Sequence, residues 1–321
     1  MKRVVSVSLG SSKGDKAHEV EILGQGFRIE RIGTDGDMKR FASLFRELDG
    51  KVDALGVGGA DIYVVIDDRR YAFRQIQRIV SVCKETPVVD GSGLKHTLER
   101  EAILRLQGDG IVDFSKEKVL LVAAVDRFGM AQALGKVCPN VVFGDAMFGL
   151  GLPIRIRSYK TIRLLGRLLL PIITKLPLKW FYPTGEKQDR RTPKFRRAFD
   201  EATLICGDTH YIRRFAPARL DERTILTQTL RKSTIEWFRD AGVRQLIATT
   251  PVMGGETFAT NVMEGVVVAL LGKRPEELVE TDYLDVLRRL DWKPSVIELR
   301  DSLDGTLSDG SGDSVPAEAP V

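Results

Sequence analysis

The stretch that decides the fold, Lys118–Leu134, reads KVLLVAAVDRFGMAQAL. An apolar run turns without a linker into sequence of helical period, and a second strand-like run, Asn140–Asp145 (NVVFGD), follows it. This is the outline of a strand–turn–helix–strand unit, whose first turn binds a dinucleotide pyrophosphate in doubly wound proteins. The turn departs from the pattern G-x-G-x-x-G, because Ala124 and Asp126 stand where the first two glycines belong and only Gly129 is present.

Asp126 and Arg127 lie at the centre of that turn. Asp126 brings a negative charge to the helix N-terminus that should attract a phosphate, and Arg127 could offset this by binding the phosphate directly. The alternative is that Asp126 caps the helix. Asp145 ends the second strand, where an acidic residue accepts hydrogen bonds from the ribose of NAD and disfavours the phosphate of NADP. We therefore predict NAD as the cofactor, with NADP not excluded, bound by Ala124, Asp126, Arg127, Gly129 and Asp145.

The composition is that of a soluble globular protein, with 43% hydrophobic and 29% charged residues. The N-terminal sequence is too short and too strand-like for a signal peptide, and the three cysteines are widely spaced, which predicts a cytoplasmic protein with reduced thiols. The three histidines form no cluster with the cysteines, so we predict no metal site.

The net charge of +5 is unevenly distributed, because most of the positive excess lies between Arg155 and Arg197. A basic block of this kind could attract an anionic ligand, a membrane surface or nucleic acid, or it could be a solvated face with one basic loop. We expect a small anionic substrate and no nucleic-acid partner.

The pattern along the chain predicts two domains and a tail. Residues 1–115 combine strands, hairpins and helices into a mixed α/β domain, which we assign to the substrate. In residues 116–301 strands alternate with helices, which is typical of a parallel sheet covered on both faces, so we predict a Rossmann-like, doubly wound domain for the dinucleotide. Residues 302–321 are rich in Ser, Asp and Gly and should form a disordered acidic tail.

An insertion near residues 155–197 interrupts the second domain with the apolar and basic segment Thr161–Tyr182 (TIRLLGRLLLPIITKLPLKWFY). Pro171, Pro177 and four basic side chains break it, so that no apolar run approaches the roughly 20 residues of a membrane span. We favour a helix pair that packs over the sheet or forms a contact between identical subunits. An interfacial helix on a membrane surface is the alternative.

Two turns that follow predicted strands carry candidate catalytic groups. The turn VVDGSGLKHT (88–97) brings together Asp90, Ser92 and Lys95, and a Lys–carboxylate pair can transfer a proton to or from an alcohol when burial lowers the lysine pKa. An Asx-type turn with a surface lysine is the alternative. His210, in CGDTHY (206–211), lies just past a strand, where open α/β sheets bind ligands, and a structural role is its alternative.

Two further loops could contact ligands. The Gly/Thr-rich loop 249–261 is of the kind that closes over a nicotinamide or a substrate, with Thr249 and Thr250 as cofactor contacts and Asn261 as a donor to an anion. The hydroxyl-rich loop after the first strand offers Ser11 and Ser12, but it lacks the glycine and lysine spacing of a phosphate-binding loop.

Several segments together resemble bacterial proteins labelled quinate 5-dehydrogenase, and the resemblance extends to about Pro294. The segments that carry it are VSVSLGSSK (5–13), RIGTDGD (31–37), VVDGSGLKHTLER (88–100), AVDRFGMAQAL (124–134), FGDAMFGLGLP (143–153), LPIITKLP (170–177), WFYPTG (180–185), GDTHYIRR (207–214) and TNVMEGVVVALLGK (260–273).

The resemblance implies NAD(P)-dependent oxidation of a hydroxylated, quinate- or shikimate-like carboxylic acid, in which a Lys–Asp pair handles the alcohol proton. It suggests Lys95 as the acid/base and Asp35 or Asp90 as its partner. With the loops described above, we predict substrate contacts from Ser11, Ser12, Asp35, Ser92 and Asn261. Two alternatives stay open: a non-catalytic or regulatory ligand-binding protein with a degenerate Rossmann domain, and a membrane-surface protein that uses residues 161–182.

Overall fold

The computed structural model describes residues 1–67, 69–177, 191–250, 252–253, 256–257 and 259–299. The predicted tail at 302–321 and the end of the apolar and basic segment lie outside the described residues. Within the described part of the chain, every helix is too short or too polar to cross a bilayer.

The first half of the chain forms a five-stranded mixed sheet with helices. Its elements are β1 (Lys2–Ser8), β2 (Lys16–Ile22), β3 (Gln25–Gly33), α1 (Met38–Leu48), β4 (Ala54–Gly58), β5 (Tyr63–Ile66), β6 (Arg69–Ala72), α2 (Arg74–Val80), β7 (Val88–Val89) and α3 (Ser92–Gly108). The strand order is β2-β3-β1-β4-β7, in which β2 and β3 form the predicted antiparallel hairpin and β3, β1, β4 and β7 run parallel. Strands β5 and β6 form a separate hairpin.

The second half forms a six-stranded sheet with helices on both faces. Its elements are β8 (Val119–Leu121), α4 (Phe128–Val137), β9 (Val141–Phe143), α5 (Tyr159–Ile173), α6 (Arg196–Glu201), β10 (Leu204–Cys206), α7 (Thr209–Phe215), β11 (Thr224–Thr227), α8 (Lys232–Asp240), β12 (Gln245–Ala248), β13 (Val252–Met253), β14 (Glu256–Thr257), α9 (Thr260–Leu271), α10 (Glu280–Arg289) and β15 (Ser295–Glu298).

The order of this second sheet is β9-β8-β10-β11-β12-β15, and the first five of these strands are parallel. Strand β9 lies on one side of β8 and β10 on the other, so the direction of winding reverses between β8 and β10. Open α/β sheets bind ligands beyond the carboxyl ends of the strands at such a switch point. The predicted fold class, a mixed α/β domain plus a Rossmann-like doubly wound domain, is therefore confirmed.

The chain crosses between the two domains more than once. Helices α9 and α10 follow β12 in sequence, yet they pack on the first sheet, where Val262 and Val266 share a core with Val4 and Phe27. Gly265 allows this approach, because a Cβ there would lie 2.8 Å from Val4 Cγ1. Strand β15, which the sequence analysis did not predict, then returns to the second sheet and pairs antiparallel with β12. Helices α9 and α10, which lie within the predicted second domain, thus share the core of the first sheet.

The described part of the apolar and basic segment, which ends at Pro177, contains the helix α5, and the rest of the predicted helix pair lies outside the described residues. The N-cap of α5 is Ser158, whose hydroxyl accepts a hydrogen bond from the Thr161 N–H group. Pro171 lies in the last turn of the helix. Strand β8 covers only the first part of the apolar run at residues 119–125, because the chain turns after Leu121 towards α4. That turn brings residues 122–127 into contact with the first domain.

Candidate site between the domains

Lys95, in the first turn of α3, has a buried ammonium group between two carboxylates. Its Nζ lies 2.9 Å from Asp126 Oδ1 and 3.5 Å from Asp61 Oδ1. Asp126 follows β8 and Asp61 follows β4, so Lys95 joins a carboxylate of each domain. Burial by itself lowers the pKa of Lys95, but the two carboxylates outweigh it and hold this pKa above its ordinary value. The prediction of a lowered lysine pKa was wrong, and Lys95 is a protonated donor at neutral pH.

Asp90 has another role than the predicted partner of Lys95. Its carboxylate accepts hydrogen bonds from the backbone N–H groups of Ile62 at 2.6 Å, Tyr63 at 2.7 Å and Ser92 at 2.9 Å. These bonds hold the segment after β4 against the start of α3. Asp90 therefore positions both sides of the site without contacting the ammonium group.

Arg127, the N-cap of α4, is almost fully buried and bound by carboxylates rather than open to a phosphate. Its guanidinium group donates to Glu99 of α3 and lies 3.1 Å from Asp208 Oδ2 and 3.3 Å from Asp126 Oδ2. Burial lowers the pKa of Arg127, whereas these carboxylates raise it, and the net shift is upward. With Asp61 included, four carboxylates surround two cations, so the region carries a formal excess of negative charge.

The backbone amides that a pyrophosphate would use are occupied. The N–H groups of Ala124 and Val125 donate to Asp145 Oδ2 and Oδ1, each at 2.9 Å. Burial raises the pKa of Asp145 to about 6, although the two donors partly oppose this. Gly129 serves helix packing, because a Cβ there would collide with the carbonyl oxygen of His96 and force α3 away from α4. The N–H groups of Ala124 and Val125 are thus already hydrogen-bonded within the protein.

A narrow cleft opens beside Lys95 at this junction. Its volume of about 10 Å³ has room for about one water molecule. Apolar and aromatic side chains make up much of its wall, together with the Lys95–Asp126 pair. The lining residues are Tyr63, Val64, Val65, Ser92, Lys95, His96, Asp126, Phe128 and Gly129. Of the predicted site residues, the structure therefore brings Ser92, Lys95, Asp126 and Gly129 together.

Glu264, which the sequence analysis missed, fixes the N-terminus of α3. It lies on α9 and is buried, and it accepts hydrogen bonds from the N–H groups of Gly91 at 2.6 Å, Gly93 at 3.1 Å and Leu94 at 3.3 Å. The hydroxyl group of Tyr283 donates to the same carboxylate at 2.8 Å. Burial raises the pKa of Glu264 to about 7 against these donors. Glu264 thereby positions the turn of helix that carries Lys95.

The predicted contacts Ser11, Ser12 and Asp35 lie together at the end of β1. The Ser12 N–H group donates to Asp35 Oδ1 at 2.8 Å, and the Ser11 hydroxyl accepts from the Lys13 N–H group at 3.2 Å. The carboxylate of Asp35 thus bonds within this loop. The pairing of Asp35 with Lys95, implied by the resemblance, is not the arrangement observed, because Asp126 and Asp61 contact the ammonium group.

A pair of arginines in this loop region was also missed. The position of a Cβ at Gly14 lies 3.3 Å from Arg31 Nη1 and 3.7 Å from Arg231 Nη1, so guanidinium groups of the two domains converge there. Burial lowers the pKa of Arg31, and the charge of Arg231 lowers it further, while Asp15 opposes both. Arg31 is also ion-paired with Asp15 at 2.8 Å, so one of the two positive charges has a carboxylate partner.

The remaining predicted contacts make bonds within the protein. Asn261 Nδ2 donates to Ser6 Oγ at 2.7 Å, and the Thr250 hydroxyl donates to the Gln228 carbonyl oxygen. The Thr249 carbonyl oxygen accepts from Trp292 Nε1 at 3.0 Å. His210 has an exposed side chain in the first turn of α7, where its N–H group donates to the capping Asp208. It is not among the residues that line the cleft.

Three polar side-chain atoms near the carboxyl ends of β11 and β12 have no hydrogen-bond partner among the described residues although they are buried. They are Gln228 Oε1, Thr229 Oγ1 and Thr249 Oγ1. Buried polar atoms are nearly always paired with protein, water or ligand. The described residues therefore leave hydrogen-bonding capacity unused at this end of the second sheet.

A family model described as Domain of unknown function (DUF8754) matches residues 93–299. The chain belongs to the DUF8754 family. A second model, Domain of unknown function (DUF8753), matches residues 3–90. The DUF8754 match begins in the first turn of α3, so Lys95 and Glu99 fall in the same match as Asp126 and Arg127. A comparison with curated proteins gives no match.

The solved structures that are similar to the chain include enzymes and binding proteins. Hetero-hexameric glutamate dehydrogenase from Thermus thermophilus is 14% identical over 90% of this chain and 74% of that chain, with a TM-score of 0.40. NAD-dependent malic enzyme from Thermotoga maritima is 13% identical over 90% and 84%, with a TM-score of 0.33. GanP, a glucose-galactose binding protein from Geobacillus stearothermophilus, is 10% identical over 94% and 98%, with a TM-score of 0.35.

Proposed function

We propose that the protein is an oxidoreductase that acts on a hydroxylated carboxylic acid of the quinate or shikimate kind, with Lys95 as its proton donor. The observation that carries the proposal is the position of the Lys95 ammonium group, which is buried between Asp126 and Asp61 beside a cleft at the switch point of the second sheet. Ligands bind at this place in doubly wound proteins.

The charge state of Lys95 favours the reducing direction. Lys95 is protonated at neutral pH, and Asp126 and Asp61 hold its pKa above the ordinary value. If a reduced cofactor delivered a hydride to a carbonyl carbon of the substrate, the alkoxide formed would be basic enough to take the proton of the ammonium group, leaving an alcohol and a neutral lysine. Asp126 and Asp61 orient the ammonium group and stabilise its charge. The unpartnered oxygens of Gln228, Thr229 and Thr249 suit the hydroxyl groups of such a substrate.

The anionic part of the substrate has its best counterpart in Arg31 and Arg231, which converge beside the loop at Gly14. Arg31 lies on β3 and Lys95 follows β7. Three strand spacings of about 4.8 Å separate these two strands, which places the two positions on the order of 14 Å apart. The cleft beside Lys95 has room for about one water molecule, so a substrate whose carboxylate is bound at the arginines would reach Lys95 only after the cleft widens.

A nicotinamide dinucleotide does not fit the Ala124–Gly129 turn as it stands. Both backbone amides donate to Asp145, the carboxylate of Asp126 lies at the start of α4, and α3 covers that helix end. A pyrophosphate would have to displace Asp145 and bring more negative charge beside Asp126. This conformation of the turn therefore has no place for the pyrophosphate of the cofactor.

The same observation favours a second candidate, a non-catalytic or regulatory ligand-binding protein with a degenerate Rossmann domain. In this role the Asp145 carboxylate would always accept the turn N–H groups that bind a phosphate in other Rossmann domains, and the Lys95–Asp126 ion pair would link the two domains. The binding of NAD(H) and NADP(H), measured by calorimetric titration, separates the two candidates. Binding of either cofactor, with turnover of a quinate-like acid, supports the enzyme, whereas neither binding nor turnover at millimolar cofactor overturns it.

Three variants then test the role of Lys95. Lys95→Met removes the donor, and Lys95→Arg keeps a charge between the carboxylates but cannot release a proton at neutral pH. Lys136→Met, at the exposed far end of α4, is the matched control. We expect both Lys95 variants to lose turnover by about 100-fold or more while the control keeps it. Normal turnover in Lys95→Arg would overturn the assignment of Lys95.

A further inference from the structure

Helix α5 exposes a row of large apolar side chains. Leu164, Leu168 and Ile172 are 58%, 60% and 61% exposed, and their i, i+4, i+8 spacing places them on one face of the helix. We call them the α5 stripe. The segment before the helix exposes Leu150, Leu152 and Ile154 as well. Together they are six of the ten large hydrophobic side chains that the structure shows as exposed in its described residues.

The orientation of the α5 stripe is fixed by the opposite face of the helix. Ile162 and Leu170 are buried there, and Gly166 lets the helix pack directly on Ile66 of β5. Two arginines of the helix, Arg163 and Arg167, also bind Asp67, with the first at 2.7 Å. The helix is therefore anchored on the protein, and turning the α5 stripe inward would break these contacts.

The sequence around the stripe is basic. The sequence contains no Asp or Glu between Asp145 and Glu186, while the described part of that interval contains six basic residues. They are Arg155, Arg157, Lys160, Arg163, Arg167 and Lys175. Two of them are matched by Asp67, and Arg155 is matched by Glu201. Lys160 and Lys175, at the two ends of the helix, are exposed.

We propose that the α5 stripe and its flanking lysines bind the surface of a membrane that contains anionic lipids. An amphipathic helix that lies in the interface buries its apolar face at the headgroup boundary while its Lys and Arg side chains contact anionic headgroups. A second copy of the chain would fit less well, because pairing two such faces would bring the lysines of both copies together. The proposal does not depend on the function proposed for the site between the domains.

Sedimentation with lipid vesicles tests the proposal. The full chain is mixed with vesicles of phosphatidylcholine alone or of phosphatidylcholine with phosphatidylserine. We expect it to sediment with the anionic vesicles and to stay in solution with the neutral ones. Leu168→Glu, at an exposed position that should not affect folding, should weaken partitioning by about tenfold or more. Leu104→Glu, at an exposed leucine of α3, is the matched control and should bind as the wild type does.

The contribution of charge is tested with Lys160→Glu/Lys175→Glu. Each basic residue near an anionic surface adds roughly fivefold to binding, so the double variant should lose at least about 25-fold, and Lys232→Glu on α8 should change little. Absence of sedimentation by the wild type, or equal binding to neutral vesicles, would overturn the proposal. So would a dimer in solution that Leu168→Glu converts to a monomer without any vesicle binding, because a second copy would then cover the stripe.

Discussion

The buried carboxylate of Glu264 should make the stability of the protein fall as the pH rises through neutrality. Its pKa is raised to about 7, whereas a glutamate in an unfolded chain titrates near 4.3. A group with a raised pKa in the folded state contributes stability that is fully present below its unfolded pKa and is lost as the pH rises through the folded value. Between about pH 6 and pH 8, Glu264 is ionised throughout in the unfolded chain, whereas in the folded protein it loses its proton at about pH 7.

Over that interval the loss follows from the two titrations. Ionisation lowers the free energy of the unfolded state by about 2.7 kcal/mol and that of the folded state by about 1.4 kcal/mol, so the free energy of unfolding should fall by about 1.4 kcal/mol. Tyr283→Phe removes one of the four donors to Glu264, raises its pKa further and should steepen the fall towards about 2.7 kcal/mol.

Urea unfolding at several pH values between 6 and 8, followed by circular dichroism, measures these changes. Glu264→Gln removes this titration, so its free energy of unfolding should fall by about 1.4 kcal/mol less than that of the wild type between pH 6 and pH 8. Asp145, whose pKa is raised to about 6, contributes equally to all the variants. If wild type and Glu264→Gln lose stability in parallel, then Glu264 is not the buried group that titrates near neutrality, and the reasoning from its burial is refuted.

Three further substitutions probe the junction of α3 and α4. Gly129→Ala should destabilise the protein by about 1–3 kcal/mol in urea unfolding, because a Cβ would collide with His96, whereas Gly108→Ala, at an open position of α3, should be close to neutral. Arg127→Met leaves Glu99 buried without its cation and should cost about 3–5 kcal/mol by the same assay, with a change under about 1 kcal/mol contradicting the buried pair. Asp145→Ala frees the amides of the turn, so the affinity for inorganic phosphate, measured by calorimetric titration, should rise above that of the wild type, and an unchanged affinity would count against the account of the turn.

The local elements were predictable because hydrophobic period and capping act over a few residues. Helix α4 and strand β9 form where the patterns of Lys118–Leu134 and Asn140–Asp145 predict a helix and a strand. Asp37, a residue type that favours the N-cap position, caps α1 through the N–H groups of Lys39 and Arg40. The hairpin of β2 and β3 follows from alternation about a glycine pair. These signals identify each element but not which sheet it covers. The local sequence patterns therefore do not predict that α9 and α10 pack on the first sheet.

The candidate site was only partly predictable, because its contacts join residues far apart in the chain. Lys95 was identified from its turn, but Asp61 and Asp126 lie 34 and 31 residues away from it. Glu264 lies 173 residues from Gly91, to which it binds, and nothing in its helix marks it as a group that meets another helix end. Asp145 was predicted to bind a ribose, and the structure shows instead that it accepts from the two amides of the turn.

The measurement that tests the central claim most directly is the reduction of a quinate-like keto acid by wild type and by Lys95→Arg, with oxidation of NADH or NADPH followed by absorbance. The account predicts turnover by the wild type, which requires the Ala124–Gly129 turn to release Asp145 and admit the cofactor. It predicts a loss of about 100-fold or more in Lys95→Arg, because the arginine keeps the charge between Asp126 and Asp61 but cannot supply the proton. Equal turnover by the two proteins would contradict it.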